Sequence, residues 1–86
     1  MRVVLSTMAD RELGRLHSDT TERVLTELRG LRDNARPPGC LLLRDFRPPT
    51  WRVRVGDWRI LYEIDDEAGI VIVTGIRHRS RVYRRR

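Results

Sequence analysis

The stretch WRVRVGDWRILYEI, Trp51 to Ile64, decides the fold. Apolar and polar residues alternate on both sides of Gly56-Asp57, a pair that suits a two-residue hairpin turn. Such a turn pairs Val55 with Trp58, which sets Arg54 opposite Arg59, Val53 opposite Ile60, Arg52 opposite Leu61 and Trp51 opposite Tyr62. One face then carries Trp51, Val53, Val55, Trp58, Ile60, Tyr62 and Ile64, an apolar surface that helices can cover. The other carries Arg52, Arg54, Arg59 and Glu63, with Leu61 as its one apolar member. Like charges directly opposite each other destabilise a sheet by roughly some tenths of a kcal/mol, so Arg54 facing Arg59 calls for an anion. Either Glu63, Asp45 or another acid supplies it and the arginines are the solvated side of an antiparallel sheet, or the guanidinium forks await a phosphate.

The period of two continues downstream. Asp66-Glu67-Ala68-Gly69 reads as a turn, Ile70–Arg77 as a further strand, and His78 to Arg86 as a basic tail. Upstream, Pro48-Pro49 precedes the hairpin, and Cys40 to Phe46 is an apolar stretch, either an irregular strand or an extended segment. Before the loop Asn34-Ala35-Arg36-Pro37-Pro38-Gly39 the period is helical. Val24, Leu28 and Leu31 recur at i, i+4 and i+7 with Leu25 beside them, behind a capping-box-like Asp19 and Glu22. A brief earlier helix holds Leu13 and Leu16, ends near His17, and follows the cap residues Ser6 and Thr7. Arg2-Val3-Val4-Leu5 reads as a first strand. The expectation is an α+β fold: an N-terminal strand and a helical hairpin packed on a mostly antiparallel sheet of about four strands. One domain over residues 1–86 accommodates it.

Composition narrows the function. The chain has 86 residues and a formal net charge of +6, and all its basic residues are arginine. Residues 1 to 43 hold seven arginines against six acids, and residues 44 to 86 hold eleven against six. The second half therefore builds a surface suited to a polyanion. Arg77, Arg79, Arg81, Arg84, Arg85 and Arg86 cluster at the end with His78 and Tyr83 interleaved, a composition that suits backbone gripping and base stacking. Cys40 is the only cysteine, which excludes a disulfide framework and a cysteine-rich zinc site; a buried, inert thiol is expected. His17 and His78 have no ligand-gathering spacing, so neither a metal nor a small-molecule cofactor is expected. The longest apolar run is strand-length, far below the ~18 residues of a membrane span. Polar Ser6, Thr7 and Asp10-Arg11-Glu12 follow too soon after Val3-Val4-Leu5 for a signal-peptide core. A cytoplasmic location is expected.

Metal-free RNA cleavage needs a base for the 2′-hydroxyl, cations for the phosphorane-like transition state and an acid for the departing 5′-oxygen. Arginine supplies only the cations, because it stays protonated. His78, Tyr83 and Glu63 are the available proton handlers.

The sequence resembles the RelE/ParE superfamily of type II toxin–antitoxin toxins. The likeness begins with the first strand and Ala9…Leu13…Leu16 and continues through Pro38-Gly39. It is strongest in Trp51 to Ile64 and in His78-Arg79-Ser80-Arg81-Val82-Tyr83. It implies a RelE-like toxin: a ribosome-dependent mRNA endonuclease (mRNA interferase) that cuts in the A site and is neutralised by a cognate antitoxin. The family's functional positions match Arg52, Arg54, Arg59, Arg79 and Tyr83. The expected catalytic set is thus Arg59, Arg79, Tyr83 and His78, and the expected RNA- or phosphate-binding set is Arg52, Arg54, Arg77 and Arg81. Two departures stand out. Arginines occupy positions where some relatives carry lysine, which removes lysine as a base, and Arg77 replaces the glycine usual before the His-Arg pair. The alternatives are a ParE-like inhibitor of DNA gyrase and an inactive relative that only binds an antitoxin.

Overall fold

Strand β1 (Arg2–Leu5) runs directly into helix α1 (Thr7–Gly14). Ser6 caps that helix, its hydroxyl accepting from Ala9 N at 3.1 Å, which satisfies one of the first-turn donors that a helix leaves without partners. Arg15 closes α1, so this helix ends before the expected His17. Helix α2 (Ser18–Asp33) follows, with His17 at its N-cap and no side-chain cap. The expected capping box is therefore absent, because Asp19 already lies within the first turn. There its charge still complements the helix dipole. The structure, a computed structural model, describes residues 1–81. Among them, no helix is long and apolar enough to cross a membrane.

The remaining elements are strands: β2 (Leu41–Leu43), β3 (Thr50–Val55), β4 (Trp58–Asp65) and β5 (Ile70–His78). They form with β1 a five-stranded sheet in the order β1-β5-β4-β3-β2. β1 pairs with β5 in parallel and all other neighbours are antiparallel. The α+β architecture is as expected, with one strand more than the expected four. The additional strand is the apolar segment after Pro37-Pro38-Gly39, which adds at the sheet edge through Leu41↔Arg52 and Leu43↔Thr50. Its brevity hid it, since three residues carry too little alternation to separate a strand from an extended loop. Cys40, just ahead of it, is half-buried rather than buried.

The hairpin register is the one the turn dictates: Val55↔Trp58, Arg54↔Arg59, Val53↔Ile60, Arg52↔Leu61 and Trp51↔Tyr62. Gly56 takes the left-handed conformation of the turn, at φ +60°, where a side chain is strained. A side chain there would also meet the guanidinium of Arg23, whose Nη2 lies 2.9 Å from an added Cβ. Val24, Leu28 and Leu31 of α2 and Ala9 of α1 pack against Val53, Val55, Ile60, Tyr62, Val71, Val73 and Ile76 to make the core. Inside it, the Tyr62 hydroxyl donates to Ala35 O at 2.8 Å, and burial pushes its phenol well above the ordinary tyrosine range. The opposite face has its own small apolar cluster, in which Leu43 and Phe46 cover Leu61.

Candidate nucleic-acid interface

Alternation along three paired strands aligns the basic side chains. Arg54 of β3 pairs with Arg59 of β4, and Arg59 with Arg77 of β5, so the three positions form one row on the face away from the helices. Arg52 is two residues from Arg54 on the same face and pairs with Leu61. Among the described residues, none of the three ion pairs involves Arg52, Arg54 or Arg59. Among the described residues, Glu63 forms none of these ion pairs either.

The arginines are not equivalent. Arg54 is exposed. Arg59 is only 9% exposed and folds back on its own turn, with Nη1 donating to Gly56 O and Trp58 O, both at 3.2 Å. Its Nε is buried with no hydrogen-bond partner, as is that of Arg52. A desolvated donor on a charged group is costly to leave unmade; the face thus holds unmet demand for an acceptor. Arg77 is partnered: Glu12 of α1 accepts from its Nε at 3.2 Å.

His78 departs from expectation. The strand continues to His78 rather than ending at Arg77, so neighbours Arg77 and His78 point to opposite faces. His78 pairs with Trp58, and the two rings meet edge to face, with centroids 5.4 Å apart at 87°. Its Nδ1 lies 3.1 Å from Ser80 Oγ. The imidazole consequently sits on the other side of the sheet from the Arg54–Arg59 pair. Arg79 lies beside the hairpin turn, where its N–H donates to Asp57 O at 2.8 Å and its Nε is 4.0 Å from Asp57 Oδ1. Arg81 is exposed, with its N–H on His78 O. Tyr83, Val82 and Arg84 to Arg86 lie outside the described residues.

Two residues near this face escaped the sequence reading. Arg23 reaches the turn from α2, and Glu12 reaches β5 from α1. Neither contact leaves a local signal, because each joins positions far apart in the chain. Among the described residues, no three His, Cys, Asp or Glu side chains gather as a metal site would require. Chemically, the face can bind and neutralise an anion.

Residues 3–83 match the family described as the ParE toxin of type II toxin-antitoxin system, parDE. No curated protein matches the sequence. Several solved structures do. The archaeal RelE in the RelE–RelB complex from Pyrococcus horikoshii OT3 is 20% identical, with a TM-score of 0.80 over 93% of this chain and 96% of that one. A chain of the toxin–antitoxin complex RelBE2 from Mycobacterium tuberculosis is 29% identical, with a TM-score of 0.79 over 91% and 96%. The isolated E. coli RelE toxin is 22% identical, with a TM-score of 0.66 over 95% and 89%.

Proposed function

The chain belongs to the ParE toxin family of type II toxin–antitoxin systems, in the RelE/ParE superfamily, and from that membership we propose that it is a ribosome-dependent mRNA endonuclease. The observation that carries this reading is the Arg54↔Arg59 pair, two cations set opposite each other, one of them with a buried Nε that has no hydrogen-bond partner. A phosphodiester supplies what they lack, because phosphate oxygens accept from guanidinium forks. In the proposed reaction the 2′-oxygen attacks the adjacent phosphorus, the P–O5′ bond breaks, and Arg54 and Arg59 neutralise the charge that develops. Arg52, Arg79 and Arg81 hold the flanking backbone. Tyr83 stacks on a base or carries a proton; His78, on the far side of the sheet, serves through Trp58 and Ser80 rather than at the phosphate. The site of action is the cytoplasm, on mRNA in the ribosomal A site. A protein antitoxin is the proposed partner, supported by the antitoxin-bound states of the relatives from Pyrococcus horikoshii and Mycobacterium tuberculosis.

Primer extension on a defined mRNA in a purified translation system tests this. Cuts within A-site codons that need ribosomes and fade in Arg54→Ala and Arg59→Ala support it; intact mRNA at high protein concentration refutes it. The family description itself favours a second reading, since it names the ParE toxin of parDE. On that reading the protein binds and inhibits DNA gyrase, and a supercoiling assay separates the two.

A further inference from the structure

The carboxylate of Glu12 is shared between two donors. Oε1 accepts from Ile76 N at 2.8 Å, and Oε2 accepts from Arg77 Nε at 3.2 Å. The first contact has a topological cause. Pairing of β1 with β5 stops at Leu5↔Val73, so the outer edge of β5 beyond that point has no neighbouring strand, and Glu12 takes the place of one at Ile76. The carboxylate is therefore anchored to the backbone whether or not Arg77 is present.

Arg77 comes to this fixed post. Its guanidinium lies back over Gly75, where an added Cβ would stand 3.2 Å from Nε and 3.4 Å from Cζ and Nη2. Gly75 is two residues earlier on the same strand and face, and Glu12 is at the outer edge. The side chain thus runs along β5 and outward, not across to its register partner Arg59. The side chains of the pair are 31% and 20% exposed, which shields them from salt better than an open surface pair.

We infer that Glu12 is a positioning residue that withholds Arg77 from the anion site, leaving Arg54 and Arg59 to bind phosphate while a third arginine stands in reserve. The ligand class is the phosphodiester backbone of single-stranded RNA, and the inference rests on the phosphate-binding reading of this face. A phosphate reaching for Arg77 must displace an acceptor already in place. Glu12→Gln removes that obstacle without opening the sheet edge. The glutamine oxygen keeps Ile76 N–H, and its amide nitrogen then faces Arg77 Nε donor against donor.

The test follows the arginine Nε–Hε signals by nitrogen-15 NMR while a short mixed-sequence single-stranded RNA is titrated into the full chain. Arg77→Lys identifies the Arg77 signal by its disappearance. In wild type the Arg59 signal moves with RNA and the Arg77 signal stays; in Glu12→Gln both move. RNA affinity of Glu12→Gln rises about fivefold, and its salt slope steepens by about 0.7 for the added phosphate contact. An Arg77 signal that moves with RNA in wild type overturns the inference without needing any variant at position 12. So does one that stays still in Glu12→Gln while Arg59 moves. If neither Arg59 nor Arg54 responds to RNA in any form, the phosphate-binding reading itself fails, a result distinct from the other two. Glu12→Asp, one methylene too short to span both donors, repeats the test should glutamine impair folding.

Discussion

Replacing Arg59 with methionine should stabilise this protein while disabling it. Methionine keeps the unbranched apolar stem and removes the guanidinium. Three contributions set the sign. The buried, unpartnered Nε disappears, which recovers about 1–3 kcal/mol of desolvation. The opposition to Arg54 is relieved, worth roughly a few tenths of a kcal/mol. Against these, the two Nη1 bonds to Gly56 O and Trp58 O, both 3.2 Å, are given up. They are at the long end of the range, and at about 0.5–1 kcal/mol each they leave a net gain of about 1 kcal/mol. In a chain of this size that raises Tm by about 4–8 °C. Differential scanning calorimetry of both proteins measures it, with RNA cleavage falling about 10²–10³-fold in parallel. A Tm that drops by a similar amount would show that the Nη1 bonds outweigh the orphaned Nε. Arg59 would then be a strut of the hairpin turn, not a group held ready for an anion.

Other perturbations separate the two faces of the sheet. Arg54→Ala, at an exposed position, should leave stability within about 0.5 kcal/mol in a denaturant titration and lower cleavage by about 10²-fold. Leu61→Ala should cost about 2–4 kcal/mol in the same titration, because Leu61 is only 3% exposed beneath Leu43 and Phe46. Tyr62→Phe strands the Ala35 carbonyl and should cost about 1–2 kcal/mol. Burial raises the Tyr62 phenol above its ordinary value of 10.0, so the unfolded chain loses this proton first. Stability is therefore fully present below pH 10 and falls as pH rises beyond it; alkaline melting curves of Tyr62→Phe should lack this component.

The hairpin was legible because Gly56-Asp57 allows one register, and that register fixes which residue faces which. The core of α2 was legible from Val24, Leu28 and Leu31 for the same kind of reason, a period that leaves one buried face. What the sequence concealed was non-local or brief. β2 was too short to show alternation. The folding back of Arg59 depends on carbonyls of its own turn, and the capture of Arg77 depends on Glu12, 65 positions away. His78 was misassigned by a single residue: ending β5 at Arg77 left it in a free tail, whereas one more strand residue commits it to the opposite face.

The place of β5 between β1 and β4 also constrains how the molecule comes into being. A ribosome releases β1 and both helices long before β5, yet residues Arg2 to Leu5 find their strand partners only in Ile70 to Val73. Such pairings of high sequence separation close slowly, since loop entropy must be overcome before contact rewards it. Until Ile70 to His78 emerge, the helices have only half a sheet to cover, and Val71, Val73 and Ile76 are missing from the core. Until β5 has emerged, the nascent chain therefore lacks both its finished core and the edge against which Glu12 docks.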